Sequence, residues 1–296
     1  YSEISQDIQN EVYAGARAFV QANKGRYKCG GYIYTGEGQD LGQFWAELNV
    51  GNAKVKKTTT NEIVTNGNAM YSIAGATFGI FSDQNCSNQI GTLTTNENGE
   101  TNEVEVTAGT VYIKELSAPK GYKLDMTVRS LKVEAGKTAT LNVSDVPKVT
   151  ETLVDLFKID METGKATAQG NAALAGAEFT WHYYDGLYTK DNLPEKATRT
   201  WVTKTVAEKD SNGTVHYVTK LVDAYKVSGD AFYTQNEKNV LPLGTLTVEE
   251  TKAPDGYLLD GAYMQAGDST EQIKGMYLTQ ITEDGELAVL SGSNQY

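Results

Sequence analysis

One block of sequence occurs twice in this chain. Ile73-Ala74-Gly75-Ala76-Thr77-Phe78 returns as Leu174-Ala175-Gly176-Ala177-Glu178-Phe179, and Glu115-Leu-Ser-Ala-Pro-Lys-Gly-Tyr122 returns as Glu250-Thr-Lys-Ala-Pro-Asp-Gly-Tyr257. Upstream, Val55-Lys56-Lys57 corresponds to Leu156-Phe157-Lys158, and 101 residues separate Lys57 from Lys158 just as they separate Ala76 from Ala177. Three landmarks repeated in one order mean two copies of one domain. The expected division is an N-terminal segment over 1–50, a first domain over 51–149 and a second over 150–296, joined near Pro147 to Thr152. The second copy is longer: residues 180–240 carry Trp181, Tyr183, Tyr184, Tyr188, Trp201, Tyr217, Phe232 and Tyr233, most of which should pack onto sheets.

Within each copy, short alternating or apolar runs are broken by tight-turn signals. Asn98-Gly99, Asn212-Gly213 and Asp284-Gly285 suit the positive φ angles of two-residue hairpin turns. Strands at this spacing, without helices between them, predict an all-β fold of two tandem β-sandwiches. The exception lies at the start. Ile4, Ile8, Val12, Ala16, Phe19 and Val20 recur at helical spacing and Gly25 follows as a stop. The sandwiches are therefore preceded by a short helical segment.

Composition narrows the function classes. A net charge of −12 argues against a nucleic-acid partner, which requires concentrated positive charge. No apolar run is long enough to span a bilayer, and no signal peptide or wall-sorting sequence is present, so the chain reads as a piece of something longer. The two histidines, His182 and His216, sit in strand-like sequence; no metal spacing, phosphate loop or nucleophile elbow occurs, and no cofactor is expected. Cys29 and Cys86 either form one disulfide or stand as two unpaired thiols.

The chemistry resides in the repeated charges. Side chains two apart share one face of a strand, so Val111, Ile113 and Glu115 point one way, as do Leu246, Val248 and Glu250. That face is apolar, hence the core face, and each glutamate ends the row pointing inward. Lys57 shares a face with Val55, and Lys158 with Leu156. A carboxylate buried without a partner is costly, so each glutamate either stays neutral or meets a lysine.

The lysine strand, the Leu/Ile-x-Gly-Ala-x-Phe stretch and the Glu-x-x-Ala-Pro-x-Gly-Tyr box resemble the Cna protein B-type repeat, also known as the SpaA-like pilin domain. The resemblance covers about residues 51–296. It implies prealbumin-like (immunoglobulin-like) sandwiches from Gram-positive adhesins and sortase-assembled pili. It also implies an amide joining a first-strand Lys to a last-strand Asp or Asn, with the box Glu as proton shuttle. By position, Lys57 is then the nucleophile and Glu115 the catalyst of the first domain. Leu141, Val143 and Asp145 alternate onto one face just before Pro147, which makes Asp145 the expected acceptor; Asn142 and Lys56 face the other way. In the second domain Lys158 and Glu250 match. The tail lacks an Asp/Asn-x-Pro ending, so the acceptor is either Asn294 or a residue on a strand continuing past 296. A second resemblance, of Ile8-Gln9-Asn10-Glu11-Val12-Tyr13 to the Gln motif of thioester adhesin domains, makes Gln9 a candidate thioester Gln, although Cys29 follows it and no Cys precedes it.

The expected function is thus a stalk or adhesin module at the cell wall of a Gram-positive bacterium, outside the cell. Attachment to peptidoglycan would come from regions not in this chain. The alternative is a module that binds a host surface protein or glycan through the aromatic-rich insertion of the second domain. Catalysis on an external substrate is not expected.

Overall fold

The computed structural model describes residues 6–34, 41–151, 154–266, 269 and 271–283. The chain forms two compact units. The first takes residues up to 58 with 73–119 and 124–145; the second takes 59–72, 120–123 and 146 onward.

The first unit opens with helix α1 (Gln6–Ala22) and a hairpin of β1 (Tyr27–Tyr34) and β2 (Leu41–Leu48), in which Tyr27 pairs with Leu48 and Gly30 with Trp45. Seven strands follow: β3 (Val50–Thr59), β4 (Thr77–Phe81), β5 (Gln89–Thr94), β6 (Val104–Thr107), β7 (Gly109–Ser117), β8 (Arg129–Val133) and β9 (Thr138–Asp145). They make one sheet in the order β6-β3-β9 and another in the order β5-β4-β7-β8. Alternation along most strands turns one face of each sheet inward, so Ala53, Val55, Phe78, Ile80, Leu93, Val111, Ile113 and Val143 form a single core.

The second unit contains β10 (Val149–Glu151), β11 (Leu156–Lys158), β12 (Glu178–Tyr184), β13 (Arg199–Lys204), β14 (Val206–Lys209), β15 (Val215–Thr219) and β16 (Lys226–Gly229). It continues with β17 (Tyr233–Gln235), β18 (Lys238–Pro242), β19 (Gly244–Lys252), β20 (Tyr263–Met264), β21 (Ile273–Lys274) and β22 (Tyr277–Ile281). The main sheet runs β16-β13-β12-β19-β22, and β11-β15-β14 forms a second. Of the inserted aromatics, Trp181, Tyr183 and Trp201 are fully buried in the core, Tyr184 and Tyr233 nearly so, and Tyr188, Tyr217 and Phe232 half-buried.

The turns differ from the two-residue hairpins predicted. Asn96 N–H donates to Glu100 O and Gly99 N–H to Asn96 O; Asp210 N–H donates to Thr214 O and Gly213 N–H to Asp210 O. These are three-residue loops with Gly99 and Gly213 in the left-handed region at φ 74 and 84. The cause is the residue at the head of each loop. The Asn96 side chain accepts from the N–H groups of Asn98 and Glu100, and that of Asp210 from Asn212 and Thr214, which stabilises a type I turn. Asp284-Gly285 lies outside the described residues.

Segment 59–72 is held in the second unit by a buried polar network. Asn68 Nδ2 donates to the Tyr183 hydroxyl and to Leu243 O, each at 2.9 Å, and the Tyr71 hydroxyl accepts from Leu243 N–H at 2.9 Å while donating to Lys148 O at 2.6 Å. Asn68→Ala strands buried partners there, and a lost buried hydrogen bond of this kind costs about 1–3 kcal/mol. The expected result is a lowered denaturation midpoint for the second unit, followed by its tryptophan fluorescence, since Trp181 and Trp201 both lie in it.

Candidate functional site

Lys57, Glu115 and Asp145 meet inside the first unit. Each lies on a core-facing row: Lys57 after Val55 on β3, Glu115 after Ile113 on β7, Asp145 after Val143 on β9. The neighbouring strands β3 and β9 bring the first and last of these together, and Thr58 Oγ1 meets Ser144 Oγ at 2.7 Å beside them. Lys57 is 0% exposed, and Glu115 and Asp145 are each 2% exposed. The Lys57 Nζ donates to Glu115 Oε1 at 2.6 Å and forms an ion pair with Asp145 Oδ2. Among the described residues that Asp145 oxygen has no other partner, so both carboxylates face the one amine. The Phe78 ring lies 5.1 Å from Nζ and closes the apolar wall. Burial pushes the Glu115 carboxyl up, against the opposing pull of its hydrogen bond from Lys57.

The second unit repeats two of these three groups. Lys158 Nζ donates to both Glu250 oxygens, at 2.8 and 2.6 Å, with side chains 14% and 5% exposed. A cavity of about 390 Å³ runs along the pair, lined by Leu156, Phe179, Trp181, Val248, Tyr257 and Tyr277 among others. The Tyr277 hydroxyl is buried there without a hydrogen-bond partner among the described residues, and burial raises its pKa to about 12. Asn294 lies outside the described residues.

The remaining candidates stand apart from this chemistry. Lys56 reaches Asn98 O and Glu100 at the surface, and Asn142 is exposed. Gln9 lies on α1, and its side chain is outside the described residues. Cys29 is exposed on β1 and Cys86 partly buried, both as free thiols. Among the described residues no group of His, Cys, Asp and Glu is placed to hold a metal.

A pair of threonines escaped the sequence reading. Thr95 Oγ1 accepts from Ala76 N–H and donates to Ile73 O, while its backbone pairs with Gly75 and Ala76. Thr205 does the same to Ala177, Leu174 and Gly176. The Gly-Ala motif is thus clasped by one buried threonine in each copy. The two threonines are 110 positions apart, so the 101-residue offset of the other landmarks did not reveal them.

A scan of family models matches the SpaA prealbumin-like fold domain twice, over residues 51–147 and 160–274. A search of the curated proteins finds no match. Among solved structures, the Bacillus anthracis TIE protein is 21% identical with a TM-score of 0.47, covering 88% of this chain, which spans 40% of that protein's length. A C-terminal fragment of the pilus adhesin SpaC from Lactobacillus rhamnosus GG is 20% identical with a TM-score of 0.41, covering 82% of this chain and 88% of its own. BcpA, the major pilin subunit of Bacillus cereus, is 16% identical with a TM-score of 0.27, covering 79% of this chain and 96% of its own. The two family matches take in most of the sequence, and the chain belongs to the SpaA family of prealbumin-like fold domains.

Proposed function

We propose that this chain is a stalk module of an extracellular, wall-associated adhesin, in which each domain joins its first strand to its last by a self-made amide bond. The observation that carries this reading is the buried cluster of Lys57, Glu115 and Asp145 at adjoining strand ends. Glu115 takes a proton from Lys57, and the neutral amine attacks Cγ of Asp145. Glu115 returns that proton to the carboxylate and relays a second one from nitrogen to the departing oxygen. An N–C bond forms, a C–O bond breaks and one water leaves, with no electron transferred. Each cluster reacts once, so this is maturation and not turnover.

For the second domain the proposed acceptor is Asn294, with ammonia as the leaving group. Glu134-Ala-Gly-Lys-Thr-Ala-Thr-Leu-Asn-Val-Ser-Asp145 aligns without a gap to Glu283-Asp-Gly-Glu-Leu-Ala-Val-Leu-Ser-Gly-Ser-Asn294. That alignment sets Asn294 against Asp145. The aromatic insertion supports the stalk over a binding module, because none of its nine Trp, Tyr and Phe residues is exposed. A tryptic digest sequenced by fragmentation tests the reading. Branched peptides joining Lys57 to Asp145 and Lys158 to Asn294 are expected; a linear Lys57 peptide, or a branch at Asn142, would refute the first assignment.

A further inference from the structure

The Glu115 carboxylate has two oxygens, and Lys57 engages only one. The other, Oε2, accepts the backbone N–H of Asp125 at 2.8 Å. That N–H comes from the turn after the Ala-Pro-Lys-Gly-Tyr box, and the turn is itself tied in place. Asp125 Oδ1 accepts Thr127 N–H at 3.0 Å and Oδ2 accepts Arg129 Nη2 at 2.6 Å. Burial opposes ionisation of Asp125, but the Thr127 and Arg129 hydrogen bonds prevail and hold its pKa at about 2, so the side chain is charged at neutral pH.

The second unit shows the same sequence without this contact. Gly256-Tyr-Leu-Leu-Asp260 matches Gly121-Tyr-Lys-Leu-Asp125, yet the Asp260 side chain is 95% exposed and pairs with Lys274 at 3.0 Å. Among the described residues Glu250 receives hydrogen bonds from Lys158 alone, on both oxygens. One carboxylate is therefore fixed from two sides and aimed, with Oε1 left for the lysine. The other is chelated by its lysine.

We propose that Asp125 is a positioning residue for cross-linking in the first domain, its side chain holding the turn whose N–H orients Glu115 toward Lys57. The inference rests on the cross-link proposed above. An acceptor oxygen fixed by a backbone donor cannot swing onto the lysine, and the free Oε1 is presented where the proton is exchanged. Asp125 acts through its turn and touches no reacting atom.

The test follows the Lys57–Asp145 branched tryptic peptide over time after a pulse of cell-free synthesis of the full chain, at several pH values. Asp125→Ala removes both side-chain ties, while Asp125→Asn keeps an oxygen for Thr127 N–H. The expected result is roughly tenfold slower branching in Asp125→Ala, from loss of one charge-assisted hydrogen bond, with its pH–rate profile moved upward because Glu115 loses a donor to its charged form. Asp125→Asn should branch near the wild-type rate with the wild-type profile. Equal rates in wild type and Asp125→Ala would overturn this inference alone. So would equal slowing in both variants with an unmoved profile, which is what a merely loosened loop gives. Absence of the branched peptide from the wild type would overturn it together with the cross-link.

Discussion

Glu115→Gln should leave the first domain folded but unjoined, and lower its thermal midpoint by roughly 20–30 °C. The substitution keeps the volume and an oxygen for Asp125 N–H, but it removes the group that moves the protons. Lys57 and Asp145 are 88 positions apart, and closing a loop of that length removes enough unfolded-state entropy to stabilise the native state by about 4–5 kcal/mol. For a domain near 100 residues, each kcal/mol shifts the midpoint by about 4–8 °C. Calorimetry of wild type and variant checks this directly. Equal midpoints would mean that no covalent closure distinguishes them.

Lys57→Met should have a different signature, a strong dependence on pH. It deletes the sole cation of the cluster and leaves Glu115 and Asp145 as two carboxylates in an apolar site. Leaving buried charge uncompensated in this way costs about 3–5 kcal/mol at neutral pH, beyond the loss of the bond. Burial already pushes Glu115 up with Lys57 present, and without the lysine the Asp125 N–H is the main donor left to oppose that push. A carboxyl whose folded pKa exceeds its unfolded one binds more protons when folded. Its destabilisation is therefore absent below the unfolded pKa and grows as pH rises through the raised folded value. Chemical denaturation should find the variant more stable near pH 4 than near pH 7. A flat profile across that range would show that the two carboxyls are solvated.

The buried cluster of Lys57, Glu115 and Asp145 was legible because a strand's period of two is rigid. Val55 with Lys57, and Ile113 with Glu115, must share a face, so an apolar neighbour on each side was enough to place both charges inward. The hairpin of β1 and β2 was not legible, since Gly30, Gly31 and Gly42 interrupt any alternation. The turn at Asn96 was misjudged by counting only Asn98-Gly99, when the capping side chain two residues earlier sets the loop length. The counterpart of Asp145 in the second copy was obscured by an anchor peculiar to the first. Pro147 pairs with Tyr122 and marks the end of that domain, whereas the sequence signal shared by both copies is the glycine nine positions before Asp145 and Asn294, Gly136 and Gly285.

Segment 59–72 shows why repeats in sequence and units in space need not coincide. The landmarks on either side of it, Lys57 and Ile73 to Phe78, belong to the first copy, yet Asn68 and Tyr71 satisfy buried groups of Leu243 in the second unit. Only hydrogen-bond partners distant in sequence reveal this, and periodicity carries no information about them. The bond proposed at Lys57 and Asp145 stands just before two of the points where the chain passes from one unit to the other, at 58–59 and 145–146. Tension entering at 146 would then pass into β3 through the amide without loading the hydrogen bonds of β9.

Intact mass of the full chain tests self-cross-linking most directly. With one water and one ammonia lost, the wild type should weigh about 35 Da less than its sequence requires, and Glu115→Ala about 17 Da less, the second domain's bond remaining. A wild-type mass equal to that of the sequence would contradict covalent closure, leaving Lys57, Glu115 and Asp145 as a buried ion cluster.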